Sequence, residues 1–187
     1  MNQESWQIEF ANNGIVDSLT GSPAPSIFRS ELFRASARSH RGDGEICIIT
    51  FRTVRASNSE SKQRSKKSDA QKKILNSLDQ IQTLKILEIA ETLKNSIRGG
   101  DFFTRMSVSG FWLCFHGGKI EAMTAVARIL ENLNELNKRN LAAASNPSER
   151  AADFAQFEVK TAIHSSPKPM DLSAWIDEID QSYFAVT

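Results

Sequence analysis

Between residues 102 and 115 the chain runs Phe-Phe-Thr-Arg-Met-Ser-Val-Ser-Gly-Phe-Trp-Leu-Cys-Phe, which reads as two short strands around a tight turn. Ser109-Gly110 supplies the two-residue turn, with Gly in second place as its strongest signal. A hairpin of this kind is marginal alone, so the rest of the chain reads as the frame that presents it. The main piece of that frame is 45–54, Glu-Ile-Cys-Ile-Ile-Thr-Phe-Arg-Thr-Val, whose continuously apolar start is that of a central strand covered on both faces.

Helical periodicity surrounds these strands. Prolines at 23 and 25 introduce a helix over 26–39 with an apolar stripe of Phe28, Leu32 and Ala35. A longer helix over about 70–97 carries Ile74, Leu78 and Ile81, then Ile86, Ile89, Leu93 and Ile97, and stops at Gly99-Gly100. A third covers about 119–136 with Ile120, Met123, Ala127, Leu130 and Leu133 as its apolar side. After a connector at 141–150, residues 154–164 alternate as a last strand, and 171–183 close the chain with a helix that buries Leu172, Trp175, Ile176 and Ile179. The order fits an α+β, ferredoxin-like core, an antiparallel or mixed sheet with helices packed on its faces.

Composition sets the outer bounds. At 187 residues and 40% hydrophobic content the chain fills one sizeable core, so one domain over 15–187 is expected, preceded by an arm at 1–14 that is either extended or part of a helix. Met1 suggests a complete chain. Residues 55–73 hold seven Lys/Arg against Glu60 and Asp69 and almost no apolar side chain, the pattern of a mobile, solvated basic loop, with an electrostatic contact to a phosphate-rich or acidic partner as the alternative. The formal net charge is only +1, so a nucleic-acid partner is not expected. Cys47 and Cys114 lie in apolar runs, as buried reduced thiols do, which points to a cytoplasmic setting. No apolar run approaches the ~18 residues that a membrane span needs.

The residues at this point resemble the GGDEF diguanylate cyclase family. Asp17-x-Leu19-Thr20-Gly21-x-Pro23 looks like the family's Asp-x-Leu-Thr-Gly-Leu-Pro-Asn-Arg opening, with Ala24 and Pro25 where Asn and Arg stand. Asp101 and Arg105 precede the hairpin with the family spacing, Phe111 matches the signature Phe, and Ile179-Asp180-Gln-Ser-Tyr-Phe resembles the closing Ala-Asp-x-Ala-Met-Tyr. The resemblance implies a palm-like core with a mainly antiparallel sheet.

It also marks departures. The five signature positions are Ser107, Val108, Ser109, Gly110 and Phe111, and the metal-binding position at the end of the first core strand aligns with Thr50, with Arg52 two residues on. Mg²⁺ takes near-octahedral oxygen coordination that includes carboxylates, and two-metal phosphoryl chemistry needs them, so no cyclase activity, no catalytic residue and no metal or other cofactor is expected. The family's base-reading Asn-Asp and Gly-Asp pairs fall near Ile74-Leu75 and Gln82-Thr83.

Arg98 and Asp101 remain. In many family members an Arg-x-x-Asp five residues ahead of the signature binds the product, cyclic di-GMP, and that spacing is met here. A guanidinium can donate twice to a guanine edge or pair with phosphate, and a carboxylate accepts from guanine N–H groups. Arg128, on the following helix, lies where family members often supply another binding Arg. Because Arg150-Ala-Ala-Asp153 repeats the pattern elsewhere, position carries the argument. The rival reading makes Arg98 and Asp101 an ion pair or loop cap at a helix end.

Two functional expectations follow: an inactive domain that senses cyclic di-GMP and signals to a protein partner, with a homodimer possible, or a scaffold that has left nucleotide behind. A residual enzyme acting on another nucleotide is third. His40, His116 and His164 show no metal-ligand spacing.

Overall fold

Alternation along the central strand decides the layering. In this computed structural model, which describes residues 13–42, 44–55, 69–146, 155, 157–167 and 171–185 with the side chains of 69–79 and 184–185 excepted, β1 spans Ile46–Arg55. Residues 1–12 of the expected arm and 56–68 of the basic stretch lie outside the described residues. Cys47, Ile49 and Phe51 of β1 enter one hydrophobic cluster, while Ile46 and Ile48 enter another on the opposite face. A strand buried on both faces has to be central, and β1 is.

Its neighbours are β3 (Gly110–His116), antiparallel with Ile46 opposite His116 and Arg52 opposite Gly110, and β4 (Phe157–Ser165), antiparallel with Cys47 opposite Ser165. On the far side of β3 lies β2 (Phe102–Ser107), which gives the order β2-β3-β1-β4. The helices are α1 (Pro25–His40), α2 (Asp69–Ser96), α3 (Lys119–Ala142) and α4 (Leu172–Ala185). The run β1-α2-β2-β3-α3-β4 is the ferredoxin-like unit, and its sheet is wholly antiparallel.

Residues from α2 and α3 fill one face. Ile86, Ile89 and Leu93 with Ala122, Val126, Ile129 and Leu133 pack on Phe51, Phe111, Leu113 and Phe115. On the other face, Phe28, Leu32 and Ala35 of α1 and Trp175, Ile179 and Tyr183 of α4 cover Trp112, Cys114, Ile46 and Ile48. Burying each Phe, Ile or Leu side chain contributes about 1.5–3 kcal/mol, and the two clusters together hold the layers.

Three expectations change. The apolar side of α3 is not the one read from its largest residues: Ile120 and Met123 are exposed, and Ala122, Ala125, Val126, Ile129 and Leu133 face the core. At ~100° per residue these five form one stripe, and the small side chains at 122 and 125 let α3 approach the sheet. The same helix continues to Ala142, beyond the expected stop near 136 and into the expected connector. At the hairpin, Ser107 pairs with Gly110, so the two turn residues are Val108 and Ser109, and Gly110 already belongs to β3. Neither turn residue has positive φ. The register instead shifts between Arg105 and Ser107, a bulge that absorbs the twist.

Candidate functional site

The segment from the end of α2 to β2 is built by its own backbone groups. Asp101 N–H donates to the Arg98 carbonyl at 3.0 Å, closing a turn after the helix stop. The Asp101 carboxylate accepts from His116 N–H at 2.9 Å and from Arg98 N–H at 3.3 Å, and His116 Nδ1 lies 3.5 Å from it. Asp101 thus ties the turn to the end of β3 from a buried position. The Arg98 guanidinium is not in that knot. It stands 5.7 Å over the Phe115 ring, on an exposed residue, with the ring's negative face beneath it.

Arg128 comes to the same end of α2 from α3. Its guanidinium donates to the Ser96 carbonyl at 2.9 Å, and Asn132 Nδ2 donates to Ser96 Oγ at 2.9 Å. A cation on the last carbonyls of a helix is favoured by their partial negative charge. Arg98, Asp101 and Arg128 are therefore gathered around one helix end, two of them exposed and one buried.

At the other end of the hairpin the turn is tied down by hydroxyls. Thr53 N–H and Oγ1 both donate to the Ser109 carbonyl, at 2.8 and 3.0 Å. Ser107 Oγ lies 3.3 Å from Ser109 Oγ and 3.0 Å from the Tyr183 hydroxyl. Burial pushes the Tyr183 phenol up, hydrogen bonding to Ser107 and the Arg52 cation pull it partly back, and the net shift is upward, so the phenol stays neutral. Arg52 donates to the Tyr183 carbonyl at 2.6 Å, with its guanidinium 5.4 Å over the Tyr183 ring. Val108, at the tip, is exposed.

Gly110 is where this packing is closest. A Cβ on it would collide with the Tyr183 hydroxyl and with the Phe51 carbonyl oxygen, so the position admits no side chain. Thr50, expected at the end of the strand, sits within β1, buried and opposite Trp112 and Ala162. The strand runs on to Arg55 because its pairing with β4 outlasts its pairing with β3.

Four participants were not singled out from the sequence as site residues. Tyr183 puts a polar tip on an apolar helix stripe, four residues after Ile179, which is a readable signal. Phe115 is a fully buried core side chain of β3, and it also supplies the platform under Arg98. Asp17 and Arg105 form a fully buried ion pair at 3.0 Å, with Asp17 also accepting from Thr20 and Arg105 Nε donating to the Ser107 carbonyl. The pair joins the opening motif to the hairpin; both residues stand at positions of the family resemblance, and an Arg inside a strand between Thr104 and Met106 is a further signal of it.

No protein-family model matches the sequence, and no curated protein does. Solved structures do. A DGC protein from Thermotoga maritima matches with a TM-score of 0.55 at 19% identity, over 88% of this chain and 98% of that one. The GGDEF domain of DgcB from Caulobacter crescentus, in complex with c-di-GMP, matches with a TM-score of 0.61 at 14% identity, over 95% of this chain and 92% of that one. The diguanylate cyclase SiaD from Pseudomonas aeruginosa, in complex with its activator SiaC, matches with a TM-score of 0.58 at 14% identity, over 89% of this chain and 55% of that one. Among the described residues no helix is long and apolar enough to cross a membrane. With its β2-β3-β1-β4 sheet, two helices on each face and these neighbours, the chain has the fold of the GGDEF domain.

Proposed function

We propose that this domain is a cytoplasmic receptor for cyclic di-GMP, without cyclase activity, that passes ligand binding on to a protein partner. The observation that carries the reading is Arg98: an exposed guanidinium held over the Phe115 ring, beside the helix end that Arg128 caps. A cyclic dinucleotide offers two phosphates and two guanine edges, and it is recognised by cations that are reachable and already oriented. Neighbours of the same fold support the two halves of the proposal, DgcB with bound c-di-GMP and SiaD with a bound protein activator.

Residue types and space both speak against catalysis. Thr50, Ser109 and Gly110 offer no carboxylate to Mg²⁺, and these residues do not fit a two-metal site. At 110 a side chain is excluded by its surroundings.

Asp101 favours a second reading. Its carboxylate is already used by two backbone N–H groups, as in a loop brace, and a domain built only for bracing there would be a nucleotide-independent interaction module. Thermal unfolding separates the two. Saturating cyclic di-GMP, at about 100 times its Kd, raises stability by ~2.7 kcal/mol and the melting temperature by a few degrees. The rise is expected for the native chain and lost in Arg98→Ala; no rise in the native chain leaves the interaction module. Incubation with GTP and Mg²⁺ is expected to give no cyclic product on chromatography, and a metal-dependent product would contradict the reading of positions 50, 109 and 110.

A further inference from the structure

The outer surface of the layer formed by α1 and α4 carries opposite charge on its two helices, and this does not depend on the nucleotide reading. On α1, Arg29, Arg34 and Arg38 are exposed, and the one acid of the helix, Glu31, is bound to Arg34 at 2.6 Å. Phe33 stands among them at 67% exposure, with Ser30 and Ala37 as its small neighbours on the same face. On α4, Asp177 and Glu178 are exposed, Asp180 is half-buried, and the helix contains no Lys or Arg. Ala174 and Gln181 lie between these acids on the outer face. Both helices belong to one layer: Phe28, Leu32 and Ala35 of α1 and Trp175, Ile179 and Tyr183 of α4 share a single hydrophobic cluster on that face of the sheet.

We propose that this face is a self-association surface, on which a second copy of the chain docks with two-fold symmetry so that α1 of each lies on α4 of the other. A two-fold contact uses the same patch twice and must therefore be complementary to itself. A basic strip beside an acidic strip satisfies this, because the rotation places each strip over its opposite and forms every pairing in duplicate. A polyanion would be drawn to α1 and repelled by α4, so the second copy fits the whole face better.

Dimensions agree with the match. The helices have 16 and 14 residues, which at 1.5 Å per residue makes them about 24 and 21 Å long, equal enough to overlie one another. Phe33 supplies the aromatic anchor, and the small Ala174 on the facing helix leaves room for it. Two helices about 10 Å wide give a patch of modest size, so the dimer falls in the weak, salt-sensitive class.

Sedimentation velocity over a concentration series, without nucleotide, tests this. The mass is expected to rise from 20.8 kDa toward twice that value at low salt, and association should weaken by about tenfold or more as salt screens the strips. Phe33→Ala should stay monomeric. So should Arg34→Glu with Arg38→Glu, and Asp177→Arg with Glu178→Arg, each checked by circular dichroism for an intact fold. Mixing the two charge-reversed proteins should restore a dimer, because each then carries the complement of the other. A native chain that remains monomeric at its highest concentration in low salt, a dimer indifferent to Phe33→Ala, or a mixture that stays monomeric would each overturn the proposal.

Discussion

The Tyr183 hydroxyl lies 3.0 Å from Ser107 Oγ, so the last helix of the chain holds the hairpin turn directly. Arg52 locks the same residue from the central strand through the Tyr183 carbonyl. Turn, strand and helix are thereby joined at the place where the family's signature would stand.

Removing the phenol oxygen should cost about 1 kcal/mol, the net value of an ordinary hydrogen bond, so Tyr183→Phe is expected to lower the urea midpoint slightly without changing its slope. Gly110→Ala should cost more, roughly 1–3 kcal/mol, since the new methyl group meets a backbone carbonyl as well as the phenol. Adding Tyr183→Phe to Gly110→Ala is expected not to restore stability, because the Phe51 carbonyl stays in place.

The pair Asp17 and Arg105 is fully buried, which makes the loss of one partner expensive. Asp17→Ala should destabilise by about 3–5 kcal/mol, leaving an uncompensated guanidinium in the core. Asp17→Ala combined with Arg105→Met should be clearly less costly than the sum of the two single changes. Chemical denaturation of the four proteins measures the coupling.

Much of the fold was legible because apolar runs and periods announce it. β1 reads as central from Ile-Cys-Ile-Ile alone, and α1 and α4 present their true buried faces in the sequence. The face of α3 did not, because its core contacts are made partly by alanines, whose burial leaves little hydrophobic signal beside exposed Ile120 and Met123. The turn was displaced by one residue because Gly110 is required by close approach within β3 rather than by a positive φ. At the candidate site, the resemblance to the family pointed to Arg98, Asp101 and Arg128, and the structure brings the three to one helix end. The division of labour between a braced Asp101 and an exposed Arg98 depends on His116 and Phe115, which are distant in sequence, and no spacing contains it.

Asp101 accepts two backbone hydrogen bonds from a buried position, so its loss should be felt in stability before any effect on a ligand. Asp101→Ala is expected to cost about 2 kcal/mol or more through the unpaired His116 and Arg98 amides, with Asp101→Asn costing less. Arg98→Ala, on an exposed side chain, should change stability by no more than ~0.5 kcal/mol. Amide hydrogen exchange at His116 should accelerate in the Asp101 variant and not in the Arg98 variant.

Burial lowers the pKa of His164, only partly opposed by Glu178. The unfolded chain therefore binds a proton there, near its ordinary pKa of about 6.5, before the folded one does. Stability contributed by the neutral imidazole is present above that pH and is lost as pH falls below it. Denaturation midpoints at pH 7.5, 6.0 and 5.0 should decline, with a shallower decline in His164→Gln.

Calorimetric titration of cyclic di-GMP into the native chain and into Arg98→Ala is the most direct test of the receptor reading. The account predicts saturable binding in the native chain that Arg98→Ala abolishes while its unfolding curve stays unchanged. No binding heat in the native chain at high ligand concentration, or equal binding in both proteins, would contradict it.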